Sequence, residues 1–257
     1  MKRILALILC IALSMLALVS CTEGDSDTLE KLDGKTPEEL YEVAQEKLKE
    51  AKSYYVKSTQ DIVMSMTVED QTQTINMSQL VEAKLDGDNY YLKTKNENEW
   101  GENLDIEAWY VDGVVYYDAF GEEKFKASIS KEDYMENYMN VDPSESTLLD
   151  IPESWFENIN FEKEGDLWVL KFVVSGEKYS EIYENAGLEG SVISGDVDYR
   201  MYFDNDGNIQ KLVTGFDMEV MGFTAHCDSV SLITIEDVEV TAPENASEFK
   251  EVNVNLG

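Results

Sequence analysis

The sequence predicts an α+β fold in which one antiparallel β-sheet carries an amphipathic helix on its apolar face. Three observations support this: a capped helix opening at Thr36, a switch from helical spacing to a two-residue period at Tyr54, and short turn signals joining successive strands. Thr36-Pro37-Glu38-Glu39 places threonine as N-cap, proline at the first helical position and glutamate three residues after the cap, which is a capping box. Leu40, Val43, Ala44, Leu48 and Ala51 then recur at helical spacing through Lys52, giving one buried stripe.

From Tyr54 onward Ile62, Met64, Met66 and Val68 alternate with Asp61, Val63, Ser65, Thr67 and Glu69. After a turn near Asp70, Ile75, Met77, Val81, Ala83 and Leu85 fall on one face, with Gln79 the polar exception. Asp86-Gly87-Asp88-Asn89 reverses the chain before Tyr90-Tyr91-Leu92. Asp112-Gly113 joins Trp109-Tyr110-Val111 to Val114-Val115-Tyr116-Tyr117 as a tight hairpin. Strands joined by such short turns are antiparallel neighbours. The middle of the chain reads as more helical: a short helix capped by Ser130 and Asp133 runs through Met139, and a loop from Asn140 to Pro152 follows. Leu167–Val174 reads as a strand and Glu177–Asn185 as a short helix. The closing strands are about Val197–Phe203, Ile209–Val220 and Ser229–Val240, the first pair joined by Asp204-Asn205-Asp206-Gly207. The paired tyrosines 54–55, 90–91 and 116–117 put one ring on each face of their strands.

The N-terminus reads as an export signal. Lys2 and Arg3 precede an apolar stretch, Ile4 to Val19, broken only by Ser14 and shorter than the roughly 18–20 apolar residues that span a bilayer. It ends in Leu18-Val19-Ser20-Cys21, which resembles the lipobox of bacterial lipoproteins. That resemblance implies cleavage between Ser20 and Cys21, and attachment of diacylglycerol to the Cys21 thiol, with palmitate among its acyl chains. Residues 21–35 are polar and turn-rich, a flexible tether. Residues 36–257 hold no Pro/Ser-rich linker and are expected to form one continuous domain.

After loss of residues 1–20 the chain carries 18 basic and 53 acidic residues, a net charge of −35. Such a surface repels phosphate, which argues against nucleic-acid binding, and it cannot anchor to an anionic membrane through a basic patch. The membrane partner is therefore reached through lipid on Cys21, on the extracytoplasmic face of the cell membrane. Cys10 leaves with the signal and Cys21 is modified, so Cys227 stands without a disulfide partner and stability must come from the core.

Tests for chemistry find no catalytic or metal residues and no cofactor motif. Aligning Gly207 with the glycine of a calcium loop puts Tyr202 and Val213 where acidic ligands belong, so Asp204–Gly207 reads as a hairpin turn. Ser128-Ile129-Ser130-Lys131 and Ser175-Gly176-Glu177-Lys178 both match a serine–x–x–lysine pattern but lack its companion elements. His226, the only histidine, adjoins Cys227; neighbours on a strand face opposite ways, so the two read as a strand-end imidazole beside a buried thiol.

The lipobox, Ala51-Lys52-Ser53-Tyr54 before two Met-rich strands, Ala108-Trp109-Tyr110-Val111-Asp112-Gly113, Tyr202-Phe203-Asp204-Asn205-Asp206-Gly207 and Pro243-Glu244-Asn245-Ala246 together resemble uncharacterised Gram-positive surface lipoproteins related to the LolA/LppX-like superfamily. The resemblance implies a single strongly curved antiparallel sheet, a half-barrel, with the N-terminal helix and short helices packed on its concave face. It also implies a non-enzymatic protein that holds a hydrophobic ligand, a lipid or acyl chain. The residues placed toward such a ligand are Met64, Met66, Val68, Met77, Ala83 and Met218, because thioethers adapt to varied apolar shapes; the other, commoner use of a methionine stripe is to fill core. The alternative is an envelope sensor or protein-interaction lipoprotein with a closed core, its protein partner unspecified by the sequence.

If Cys21 carries the anchor, Cys21→Ser releases the protein from the membrane fraction on cell fractionation. Unchanged retention would show that the chain is held some other way.

Overall fold

The computed structural model describes residues 35–68, 71–98, 104–119, 123–134, 151–178, 191–220 and 223–252. The first helix, α1 (Pro37–Glu50), forms as its capping box dictates. The Thr36 hydroxyl accepts from the Glu39 amide at 3.2 Å, and the Glu39 carboxylate accepts from the Thr36 amide at 2.7 Å. It ends at Glu50 rather than Lys52, with Ala51 as its C-cap. Leu40, Ala44 and Leu48 are buried as expected, while Val43 is only half-buried. Tyr41, left out of the predicted stripe, is fully buried. Its hydroxyl donates to the Ile151 carbonyl and accepts from the Ile151 amide, both at 3.0 Å, so the polar end of the ring is satisfied inside the core.

The rest is one large, curved, unclosed sheet. Its strands are β1 (Ser53–Val68), β2 (Gln71–Asp86), β3 (Asn89–Asn98), β4 (Leu104–Val111), β5 (Val114–Ala119), β6 (Glu123–Ser128), β7 (Glu157–Glu164), β8 (Leu167–Ser175), β9 (Ser191–Phe203), β10 (Ile209–Val220), β11 (Phe223–Thr234) and β12 (Lys250–Glu251). Across the sheet they run β12-β6-β5-β4-β3-β2-β1-β11-β10-β9-β8-β7. Two meanders, β1 to β6 and β7 to β11, are thus joined by the β1–β11 pair, and every pairing is antiparallel except β12 with β6. The hairpin at Asp112-Gly113 has positive φ at both residues, 49° and 78°, the geometry a two-residue turn between twisted strands requires.

Several sequence expectations need correction. Among the described residues β6 and β7 lie where no strand was expected. Their alternation is weak because their exposed positions carry Glu and Lys while few inner positions are large and apolar. The helix after Ser130 is seen over α2 (Lys131–Tyr134), with the Asp133 amide donating to the Ser130 hydroxyl at 3.1 Å. Residues 176–178 are helical, and β9 begins six residues before the expected Val197. The last long strand is Phe223–Thr234 rather than Ser229–Val240. Beyond Thr234 the alternating Asp-Val-Glu-Val pattern continues, but side chains take the backbone donors: Val238 donates to the Ser53 hydroxyl at 2.8 Å and Val240 to Asp86 at 3.2 Å. His226 and Cys227 consequently sit inside β11 and not at its end. Residues 1–34, 135–150 and 179–190 lie outside the described residues, and with them the signal, most of the tether, the remainder of both short helices and most of the expected loop.

The core fills the face that α1 covers, called the inner face below. Leu40, Tyr41, Ala44 and Leu48 pack with Val56, Ile62 and Met64 of β1 and with buried residues of β8 to β11. Tyr41 meets Phe156 edge-on at 5.0 Å, Phe156 stacks on Phe172 at 3.8 Å, and Phe172 stacks on Tyr199 at 4.9 Å. Lys47 anchors the far end of α1 by donating to the Asp206 carbonyl at 2.6 Å and to the Asn208 side chain at 2.9 Å. The other edge, β7, carries a bulge between Glu157 and Asn160, with Asn158 at φ 54°.

The pleat of β1 makes a direct test of face assignment. Met64 is 7% exposed and its neighbour Val63 41%. Met64→Asp buries an unpaired carboxylate and is expected to cost about 3 kcal/mol or more. Val63→Asp should cost under about 0.5 kcal/mol, as surface changes do. Equal losses of denaturant midpoint for the two variants would contradict this register.

Candidate functional site

The residues singled out for a hydrophobic ligand differ in burial where their side chains are described. Met64 and Met218 are buried in the α1 cluster, and Met77 and Ala83 are half-buried against its border. Met66 and Val68 lie near the end of β1, and their side chains fall outside the described residues, as do Ser20 and Cys21. The inner face, however, continues past that border. Register pairing carries one row from Val56 through Ala83, Leu92, Ala108 and Tyr117 to Phe125, one residue from each of β1 to β6. Leu92, Tyr117 and Phe125 are half-buried, with Tyr117 stacked on Phe125 at 4.8 Å. The α1 cluster takes in Ile75, Met77 and Ala83 of β2 and, among the described residues, no side chain of β3 to β6.

Sequence reasoning missed a second feature, on the opposite face. There the segment after β11, residues 236–245, crosses the outer side of β1 to β5 and encloses a groove of about 740 Å³. Its floor holds Tyr55, Tyr91 and Trp109, brought into line by register, with Tyr91 and Trp109 5.5 Å apart and the Lys84 ammonium 5.5 Å from the Tyr91 ring. Phe249 packs edge-on against Trp109 and Tyr116. Beside the rings runs a ladder of charge in which Lys57, Glu82, Lys93, Glu107, Asp118 and Lys124 are successive register partners. Lys57 bridges Glu82 at 3.5 Å, Lys93 pairs with Glu107, and Lys124 lies 3.7 Å from Asp118. The Tyr55 hydroxyl donates to Glu82 at 2.8 Å; burial, then that carboxylate, pushes its pKa up to about 12. Tyr91 is pushed up as well, by burial first and by Glu107 and Glu82 next. Both phenols therefore stay protonated and act as donors and ring surfaces. The only signal for this groove in the sequence was the Lys/Glu alternation, which has no meaning until the register is known.

Opposite faces separate His226 and Cys227 as the pleat requires. Cys227 is buried, and desolvation pushes its thiol up to about 12, with Asp217 and Asp228 adding to the effect. His226 is exposed and held between two carboxylates, with Nδ1 2.7 Å from Asp217 and Nε2 3.3 Å from Asp228. The Asp217 hydrogen bond raises the imidazole pKa most; slight burial opposes it, and the charges of Asp228 and Asp217 reinforce it. With both ring nitrogens engaged, the pair of aspartates favours an imidazolium. Among the described residues no group of three His, Cys, Asp or Glu side chains is arranged to hold a metal ion.

The Asp204 turn uses its carboxylate internally. Asp204 accepts from the amides of Asp206 and Asn208, each at 2.9 Å, and from the side chains of Asn208 and Gln210 at 2.9 and 3.1 Å. Burial disfavours its charge, but these bonds and Lys47 outweigh burial and hold the carboxyl below its ordinary value. Gly207, at φ 75°, lies close enough to Leu40 that a Cβ there would come within 3.1 Å of it.

A family model described as "Family of unknown function (DUF6612)" matches residues 36–192. No curated protein matches the chain. Among solved structures it is similar to the LolA superfamily protein NE2245 from Nitrosomonas europaea, at 11% identity over 80% of this chain and 96% of that one, with a TM-score of 0.25. It is also similar to a DUF1329 family protein from Desulfovibrio piger, at 12% identity, 79% and 93% coverage and a TM-score of 0.24. A third is the ywiB protein from Bacillus subtilis, at 9% identity, 70% and 92% coverage and a TM-score of 0.21.

The His226 geometry predicts a pH effect. Its raised pKa adds stability that is fully present below the ordinary imidazole value and is lost as pH rises through the folded value. The His226 NMR titration midpoint should lie above the ordinary value and fall in Asp217→Asn. The Tm gap between wild type and Asp217→Asn should shrink across the same window. A midpoint indifferent to Asp217 would contradict the pairing.

Proposed function

The chain belongs to the DUF6612 family, and from that premise we infer that it is a non-enzymatic lipoprotein that holds a lipid or acyl chain on the inner face of β1 to β6. One observation supports the reading above all: the α1 cluster ends at β2, while the apolar row of the same face runs on to Leu92, Ala108, Tyr117 and Phe125. Apolar surface left to water costs roughly 25 cal/mol per Å², so covering this row stabilises whatever complex covers it. Ala83 and Ala108 alternate with larger neighbours along this row. Anchoring by lipid on Cys21, at the extracytoplasmic face of the membrane, puts this row beside a supply of apolar molecules. The mature charge of −35 leaves no basic patch to do that work.

A second reading, an envelope sensor or interaction protein with a closed core, is favoured by the outer groove. Its volume, aromatic floor and laddered charges suit an extended polar segment of a partner better than a hydrocarbon.

A saturable rise in the emission of a fluorescent fatty-acid probe tests the first reading. Ala83→Trp, in the inner row, should weaken uptake at least tenfold without lowering Tm, whereas Trp109→Ala, in the outer groove, should leave it unchanged. A folded protein that binds no probe and yields no extractable lipid would transfer the assignment to the outer groove.

A further inference from the structure

Among the described residues the buried polar side chains are Gln60, Gln79, Thr94, Ser231 and Thr214; all lie on the inner face, where register sets them on adjacent rungs as a polar seam. Asn96 of β3 pairs with Gln79 of β2, Gln79 with Gln60 of β1, Gln60 with Ser229 of β11, and Ser229 with Thr214 of β10. One rung away the Ser58 and Ser231 hydroxyls satisfy each other at 2.6 Å. Gln79 is different. It is 3% exposed, and both its amide nitrogen and its amide oxygen are buried without a hydrogen-bond partner. A buried amide with all its donor and acceptor positions unmet destabilises a fold, and a partner that fills them recovers the loss.

We propose that Gln79 is the polar anchor of the inner face and that its amide receives the uncharged, hydrogen-bonding head of an amphiphile whose tail lies along the Ala83–Leu92–Ala108–Tyr117–Phe125 row. This rests on the inner-face reading above and adds the ligand's head chemistry to it. An amide offers donors and an acceptor side by side, so it matches a group that does the same: a hydroxyl with its ester, or another amide. A carboxylate or phosphate would need a cation. The seam is uncharged, and the pleat sends Lys57 of β1, Lys84 of β2, and Lys93 and Lys95 of β3 to the outer face. The tail row spans four strand spacings from β2 to β6, about 19 Å, and Gln79 lies four residues along β2 from Ala83. Head and tail positions are therefore near one another but not superimposed, as an amphiphile requires.

The purified protein can be titrated with 1-monolauroylglycerol, dodecanoate and dodecane, each displacing a bound anilinonaphthalene dye. Wild type should bind monolauroylglycerol at least tenfold more tightly than dodecane, and more tightly than dodecanoate. Gln79→Leu, close in volume and relieved of the unmet amide, should keep its Tm and its dodecane affinity within twofold while losing the preference for monolauroylglycerol. Gln79→Met should do the same, which guards against a local packing fault in the first variant. If both variants keep the preference, ordered water satisfies Gln79, and the head assignment is overturned while inner-face binding stands. If wild type binds none of the three, the inner-face reading fails and this proposal fails with it.

Discussion

Everything else in the fold depends on the ladder between β1 and β11, which runs from Tyr55↔Thr234 to Ser65↔Thr224. It joins the first strand of one meander to the last strand of the other, across most of the chain length. Closing so long a loop costs entropy, which the contacts of the finished core must offset. Its register also fixes the two faces. Val56, Ile62 and Met64 meet Ile233, Cys227 and Ala225 on the inner side, and a slip of one residue would turn all of them outward.

The two meanders then take different parts. The β7 to β11 side holds α1 through the aromatic column from Tyr41 to Tyr199 and through Lys47 at the Asp206–Asn208 turn. The β2 to β6 side reaches past the helix, and its two faces are built differently. Apolar rows line the inside, and rings with a charge ladder line the outside under the C-terminal segment. The same alternation of residues along β2 and β3 writes both surfaces. A substitution that shifts either strand by one position would exchange them.

Much of this was legible in the sequence because its causes are local. Thr36, Pro37 and Glu39 specify the start of α1 without outside help, and Asp112-Gly113 specifies its hairpin. Alternation in β1 and β2 placed Met64 and Met77 on the helix side and marked Gln79 as the odd residue on that face. What stayed hidden depends on distant partners. Tyr41 is one such case: the Ile151 carbonyl and amide that satisfy its hydroxyl inside the core lie 110 residues away along the chain. The strand reading of residues 235–240 failed because Ser53 and Asp86, far earlier in the chain, take the hydrogen bonds that a neighbouring strand would have made. The outer groove was invisible for the same reason: its floor is assembled from five strands and its wall from a segment with no regular structure.

The bulge at Asn158 has a consequence for how copies of the chain can coexist. β7 ends the sheet on one side, and an open edge invites a neighbour's strand to add to it. Here the left-handed Asn158 and the shifted register interrupt the row of free backbone groups, and Glu157, Glu162, Lys163 and Glu164 crowd what remains with charge. At the opposite end β12 offers only two residues. Copies of the chain at high concentration would meet at these rims. The kinked, charged rim and the two-residue strand at the opposite end make edge-to-edge addition of strands into a continuous ribbon unfavourable.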